Sequence, residues 1–143
     1  MNININVGVA EKLGKYSDAV LVDGEVRWLY SSGTPGLDAD GKLAPDFETQ
    51  ARLAWTHIIA MLNAAEMDVT HIVKLTQSLI RQQDLLAYRD IRNEFLGEAR
   101  PASMLSFVSG LVLPEMLIEL EIVATQQRIR SRGFAIEAPT LCR

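Results

Sequence analysis

Cysteine is almost absent: Cys142 is the only one in 143 residues. One thiol forms no intrachain disulfide, which favours a reducing compartment, and nothing beside it would lower its pKa toward reactivity. Histidine is scarce as well. His57 and His71 have no cysteine or carboxylate at ligand spacing, so no metal site is expected. The chain also lacks a Gly-rich phosphate loop, a Gly-x-Ser-x-Gly elbow and a zincin pattern, and no cofactor is expected. Long apolar runs are missing too. The longest uncharged stretch, Leu105 to Pro114, contains Gly110 and falls well short of the ~20 residues that cross a bilayer. Met1 to Val7 alternates polar and apolar residues without a basic leader, so no signal peptide is read there. Nor is there positive charge in excess. A net charge of −4 gives no general attraction to nucleic acid or anionic lipid, and a soluble, cytoplasmic protein is expected.

What is present suits one domain. With 48% apolar residues, a chain of this length buries about two-thirds of its unfolded surface. Residues 18–22 and 26–32 are β-rich and flank Asp23-Gly24-Glu25, a β-hairpin signal. Asp46 is placed to cap a helix over 47–65, where Phe47, Ala51, Ala54, Trp55, Ile58 and Leu62 recur at helical spacing. Residues 72–80 read as a strand with Val73, Leu75 and Leu79 on one side and Lys74, Thr76 and Ser78 on the other. A second helix is expected over 84–96, with Gly97 at its C-terminal end and Pro101 beyond. Strands over 104–112 and 117–125, joined by Pro114-Glu115, complete an α+β fold in the order β-β-α-β-α-β-β. One mixed sheet would carry both helices on one face. Its other face then needs cover, for which a partner subunit is the natural source. In the last strand Met116, Ile118, Leu120 and Ile122 suit the helix side, while Leu117, Glu119, Glu121 and Val123 make a mixed opposite side.

Several segments together carry a family resemblance. These are Gly14-Lys15-Tyr16-Ser17, Ser31-Ser32-Gly33-Thr34-Pro35-Gly36, Arg100-Pro101-Ala102-Ser103, Leu113-Pro114-Glu115 and Ile118 to Ala124. Over roughly residues 13–126 the chain resembles the RidA/YjgF family of small trimeric enamine and imine deaminases. The resemblance implies a chorismate mutase-like homotrimer with a small-molecule cleft between neighbouring subunits. It assigns residues 1–126 to one domain and leaves 127–143 as a tail of uncertain structure.

The same resemblance implies site residues. Glu121 matches the glutamate that handles the attacking water, and Tyr16 the tyrosine that closes one wall. Ser32-Gly33-Thr34 matches a Ser-Gly-Gln turn, with Thr34 offering a hydroxyl where the family has an amide. The main departure is Ser103, which stands where the deaminating members hold the substrate carboxylate with an arginine. Serine provides no bidentate fork. Leu105 replaces a companion cysteine. Arg89 stands where an asparagine is common, and Arg92 and Arg100 are further candidates to receive an anion, although solvated surface charge is the plainer reading of all three. A metal-free hydrolase of a reactive enamine or imine is the leading expectation, with a substrate other than 2-aminoacrylate. A trimer that binds a metabolite or partner without turnover is the alternative. A ribonuclease-like protein is third, since the basic run Arg128-Ile129-Arg130-Ser131-Arg132 lacks interleaved aromatics and the chain is acidic overall.

Overall fold

The structure, a computed structural model, describes residues 2–128. Its strands are β1 (Asn2–Ile5), β2 (Ala19–Val22), β3 (Val26–Tyr30), β4 (Ile72–Leu79), β5 (Ala102–Phe107) and β6 (Ile118–Gln127). Helix α1 (Phe47–Ala64) lies between β3 and β4, and α2 (Leu85–Leu96) between β4 and β5. A four-stranded mixed sheet runs in the order β3-β6-β4-β5, with only β4 and β5 parallel. A separate antiparallel ladder joins β1 to β2.

Both helices form where the apolar spacing places them. The Asp46 side chain accepts from Thr49 N–H at 2.9 Å and so caps α1, while Gly97 ends α2 with φ +55°. Trp55, Ile58 and Leu62 of α1 and Tyr88 and Ile91 of α2 pack with Leu75, Leu79, Ile118, Leu120 and Ile122 of the sheet. Each such large apolar side chain, removed fully from water, contributes about 1.5–3 kcal/mol. Gln50 is one of the polar side chains buried in this core. It donates to Ala44 O and Glu115 O and accepts from Leu117 N–H, which pins α1 to the turn that feeds β6.

Three expectations are corrected. The single sheet is instead a four-stranded sheet beside a two-stranded ladder, because Asn2–Ile5 forms a strand that sequence reading left unassigned. The hairpin between 18–22 and 26–32 is not formed as a ladder: β2 pairs with β1, and β3 with β6. Gly24 still turns the chain, with φ +89°, but β6 supplies the bonds there, through Gln127 Nε2 to Asp23 O and Arg128 N–H to Glu25 O. The strand expected over 104–112 runs from Ala102 to Phe107, since its ladder ends where β4 ends at Leu79. Residues 129–143, which hold Cys142 and most of the basic run, lie outside the described residues.

Asp18 ties down the N-terminal segment by accepting from Val7 N–H at 2.7 Å and Ala10 N–H at 2.8 Å. The bond from Val7 is the main cause holding its carboxyl below the ordinary aspartate value. A depressed folded pKa contributes stability that is present above the unfolded value and lost as pH falls through the folded one. The melting temperature of Asp18→Asn is therefore expected to lie below wild type near neutrality and to converge with it in acid. A gap that widens on acidification would contradict this role.

Candidate functional site

Two sets of side chains gather on the sheet, one where β3 leaves β6 and one at the β5 edge. The first is built on the exit of β3. After Tyr30 the chain leaves the regular ladder: Ser31 N–H donates to Ile122 O at 3.0 Å, and the Ser31 hydroxyl accepts from Ile122 N–H at 2.8 Å. Regular pairing returns at Thr34, whose N–H donates to Leu120 O at 2.7 Å and whose carbonyl accepts from Leu120 N–H at 3.0 Å. Ser32 and Gly33 form the projecting tip between these anchors. The Thr34 hydroxyl is turned inward to Ser32 O at 3.0 Å, and its side chain is buried.

Gly33 leaves room for a neighbouring side chain. A Cβ on it would lie 2.1 Å from Glu119 Oε1, so the absence of a side chain is what seats that carboxylate against the turn. Glu119, Glu121 and Val123 project from the same face of β6, the face opposite the helices. Glu121 is exposed and lies across from Thr76. Behind the turn is a cavity of about 590 Å³ lined by Ser32, Gly33, Leu37, His57 and Met61 among others. His57 Nε2 lies 2.6 Å from Leu37 O and so supports the loop that forms this wall.

The second set is at the β5 edge. Ser17 N–H donates to Pro101 O at 3.2 Å and its hydroxyl donates to Arg100 O at 2.6 Å, which lays Gly14-Lys15-Tyr16-Ser17 along the start of β5. A cavity of about 370 Å³ opens there, lined by Glu11, Gly14, Lys15, Tyr16, Ser17 and Arg100 with two asparagines of the N-terminal segment. Ser103 and Leu105 project toward the helix side. Ser103 Oγ accepts from Gln77 Nε2 at 2.8 Å, and Gln77 Oε1 accepts from the Tyr88 hydroxyl at 2.6 Å. Burial raises the pKa of Tyr88 far above its ordinary value, so it stays protonated and keeps donating. Leu105 packs against the core.

The three arginines differ sharply. Arg100 donates to Gly97 O and Ala99 O at 2.7 and 2.8 Å, closing the turn after α2. Arg89 is half-buried on α2. Arg92, a candidate anchor whose plainer reading from sequence is a solvated charge, is only 6% exposed, and its Nε has no hydrogen-bond partner among the described residues. Burial lowers its pKa, and the nearby positive charges of Arg89 and Arg100 lower it further against the opposing effects of Tyr88 and Tyr16. Among the described residues no group of three His, Cys, Asp or Glu side chains is placed to hold a metal ion, and no helix is long and apolar enough to cross a membrane.

The Endoribonuclease L-PSP family model matches residues 9–126. The chain belongs to this family, the RidA/YjgF proteins. It is similar to the 2-iminobutanoate/2-iminopropanoate deaminase of Capra hircus, at 36% identity over 116 residues, covering 80% of this chain and 82% of the goat protein. The RutC family protein UK114 of Drosophila melanogaster is 30% identical over 125 residues, covering 86% of this chain and 88% of the fly protein. Among solved structures, a Rid-family protein of Yersinia pestis aligns with a TM-score of 0.76 at 25% identity, over 87% of this chain and 98% of that one. RidA from an Antarctic Psychrobacter aligns with a TM-score of 0.65 at 27% identity, over 85% and 93%.

For this RidA-family chain, the residues singled out from sequence divide between the two sets. Ser32, Gly33, Thr34 and Glu121 belong to the β3–β6 side and Tyr16, Ser103 and Leu105 to the β5 side, while Arg89 lies on α2 near Arg92. Strands β3 and β5 are the outer strands, three strand spacings or about 14 Å apart. Glu121 and Ser103 also face opposite sides of the sheet. The approach of Glu119 to Gly33 and the burial of Arg92 are what sequence reading missed. The alternation along β6 already places Glu119 beside Glu121, whereas its contact with Gly33 depends on the irregular tip.

Proposed function

We propose that this protein is a RidA-like, metal-free deaminase that hydrolyses a small imine or enamine in a cleft shared by neighbouring subunits of a homotrimer. The observation that carries this reading is the placement of Ser32, Gly33 and Glu119 on the β3–β6 side of the sheet, while Ser103 lies on the β5 edge strand and Arg92 on α2. Within one chain Glu119 and Ser103 face opposite sides of the sheet two strand spacings apart, so one small ligand does not reach both. Two copies set edge to edge can bring the two groups around it, and the open sheet face offers the apolar surface such packing needs: Trp28 and Tyr30, stacked with centroids 6.0 Å apart, and Met104 are each more than half exposed.

The chemistry needs little equipment. Water adds to the C=N carbon, the nitrogen leaves as ammonia, and a 2-oxo acid remains when the substrate is a 2-imino acid, as the name of the goat relative specifies for that protein. One carboxylate that takes a proton from water and returns it to nitrogen suffices. Glu119, against the Ser32–Gly33 turn, is the better placed, and Glu121 on the same face is its competitor. Backbone N–H groups at the turn tip are available to the developing charge.

Freshly generated 2-iminobutanoate is expected to be hydrolysed well above the spontaneous rate by a protein whose native mass equals three chains. A trimer that binds 2-oxobutanoate but leaves imine lifetimes unchanged would support the non-catalytic binding reading, which the serine at position 103 favours. A monomer with full activity would overturn the shared cleft.

A further inference from the structure

We infer that Arg92, reaching from α2 to the Gly14–Tyr16 wall, is the anion anchor of this cleft, and that the ligand it takes is a small carboxylate such as a 2-imino or 2-oxo acid. This rests on the shared-cleft reading above and assigns the side chain that serves in place of an arginine at position 103. A buried guanidinium carries five donors in a fixed fork, and burying it without acceptors is costly. Structural arginines meet that cost by donating to carbonyls or carboxylates, as Arg100 and Arg81 do here. Among the described residues Arg92 does neither. Its Nε is wholly buried and has no partner among them, and the described titratable groups that act on its charge are Tyr88, Tyr16, Arg89 and Arg100, none of them a carboxylate.

The surroundings fit an incoming anion. Nη2 lies 4.0 Å from where a Cβ on Gly14 would be, and the Tyr16 ring lies 3.3 Å from the same point, so the guanidinium stands directly behind the Gly14–Tyr16 wall of the cavity, where glycine adds no side chain to the barrier. Lys15 and Arg100 line that cavity and outnumber its one carboxylate, Glu11. Arg92 also stands one helical turn beyond Tyr88, which binds Ser103 through Gln77. The small residue at 103 is thus held back by the core network, and the cationic group approaches from the helix instead of the strand.

The test is a titration of the isotope-labelled full-length trimer with 2-oxobutanoate and with the neutral 2-oxobutanamide, following the Arg92 Nε–H resonance. That signal should shift saturably with the acid and stay in place with the amide. Arg92→Lys should weaken 2-oxobutanoate binding at least tenfold while leaving amide binding within twofold. An Nε–H signal that saturating acid does not move would overturn the inference. So would equal loss of acid and amide binding in Arg92→Lys, or a loss that follows Arg89→Ala instead. The wild-type titration decides the matter even where the variant fails to assemble. A protein that binds the acid through Arg92 yet turns over no imine keeps the anchor and refutes the deaminase. One that turns over imine with Arg92 unmoved does the reverse.

Discussion

Glu119→Gln is expected to lower the turnover number for 2-iminobutanoate by about a hundredfold or more, the range over which a positioned acid–base group ordinarily acts. The substitution keeps the size of the side chain and removes only its proton-accepting charge, so the contact with Gly33 and the trimer should persist. Glu121→Gln, on the exposed neighbouring position of the same face, should cost less than tenfold. Gly33→Ala is an independent route to the first result. Its Cβ would stand 2.1 Å from Glu119 Oε1, and the far end of a flexible side chain is what must yield. The carboxylate is displaced at small cost in stability, and activity should fall as it does in Glu119→Gln. Steady-state kinetics beside thermal melts check all three. Should Glu121→Gln carry the large loss while Glu119→Gln remains active, the water-handling role belongs to Glu121.

Much of the fold was legible because its elements are set by local spacing. The apolar stripe from Phe47 to Leu62, the cap at Asp46 and the glycine after Leu96 place both helices to within a residue or two. Strand β6 was readable as a two-faced strand because Ile118, Leu120 and Ile122 alternate with Glu119, Glu121 and Val123. The pairing of β2 with Asn2–Ile5 was not legible. Asp-Gly between two β-rich runs is a strong local hairpin signal, and nothing local reveals that β6 and the N-terminal strand take up the pairing instead.

The site divides along the same line. Tyr16, Ser32 and Gly33 are proposed from short motifs, and the structure forms a turn at Ser32–Gly33 and docks Ser17 on Arg100 and Pro101. The seat of Glu119 depends on two residues looping out between Ser31 and Thr34, and the burial of Arg92 on Gly14-Lys15-Tyr16 docking across Ser17 onto Arg100 and Pro101. Both are contacts between segments far apart in the chain. Periodicity in α2 places Arg92 one turn from Tyr88 on the buried face, but a charged residue at such a position ordinarily argues for the helix flank, which is why its burial carries information.

Gly36→Ala should be the most destabilising Gly→Ala change among the described glycines, lowering the melting temperature by about 10 °C or more. Its cause is space, because Gly36 is not among the positive-φ glycines. A Cβ there would lie 1.9 Å from the carbonyl oxygen of Gln50, 2.6 Å from its carbonyl carbon and 2.7 Å from its Cα. All three are backbone atoms of α1, so no rotamer change relieves the overlap and the helix must retreat. Gln50 would then be drawn from Leu117 N–H and Glu115 O, loosening the start of β6 together with the loop behind Ser32. Overpacking a core typically costs about 1–3 kcal/mol, and a clash confined to backbone belongs at or beyond the upper end. Two controls separate the mechanisms. Gly41→Ala meets no atom within 4 Å but sits at φ +73°, so its cost is conformational, about 1 kcal/mol. Gly110→Ala has open space and no positive φ, and should be close to neutral. A Gly36→Ala protein that melts with the Gly110→Ala control would show that α1 does not pack on this loop as described, and the cavity behind the Ser32–Gly33 turn would lose its wall.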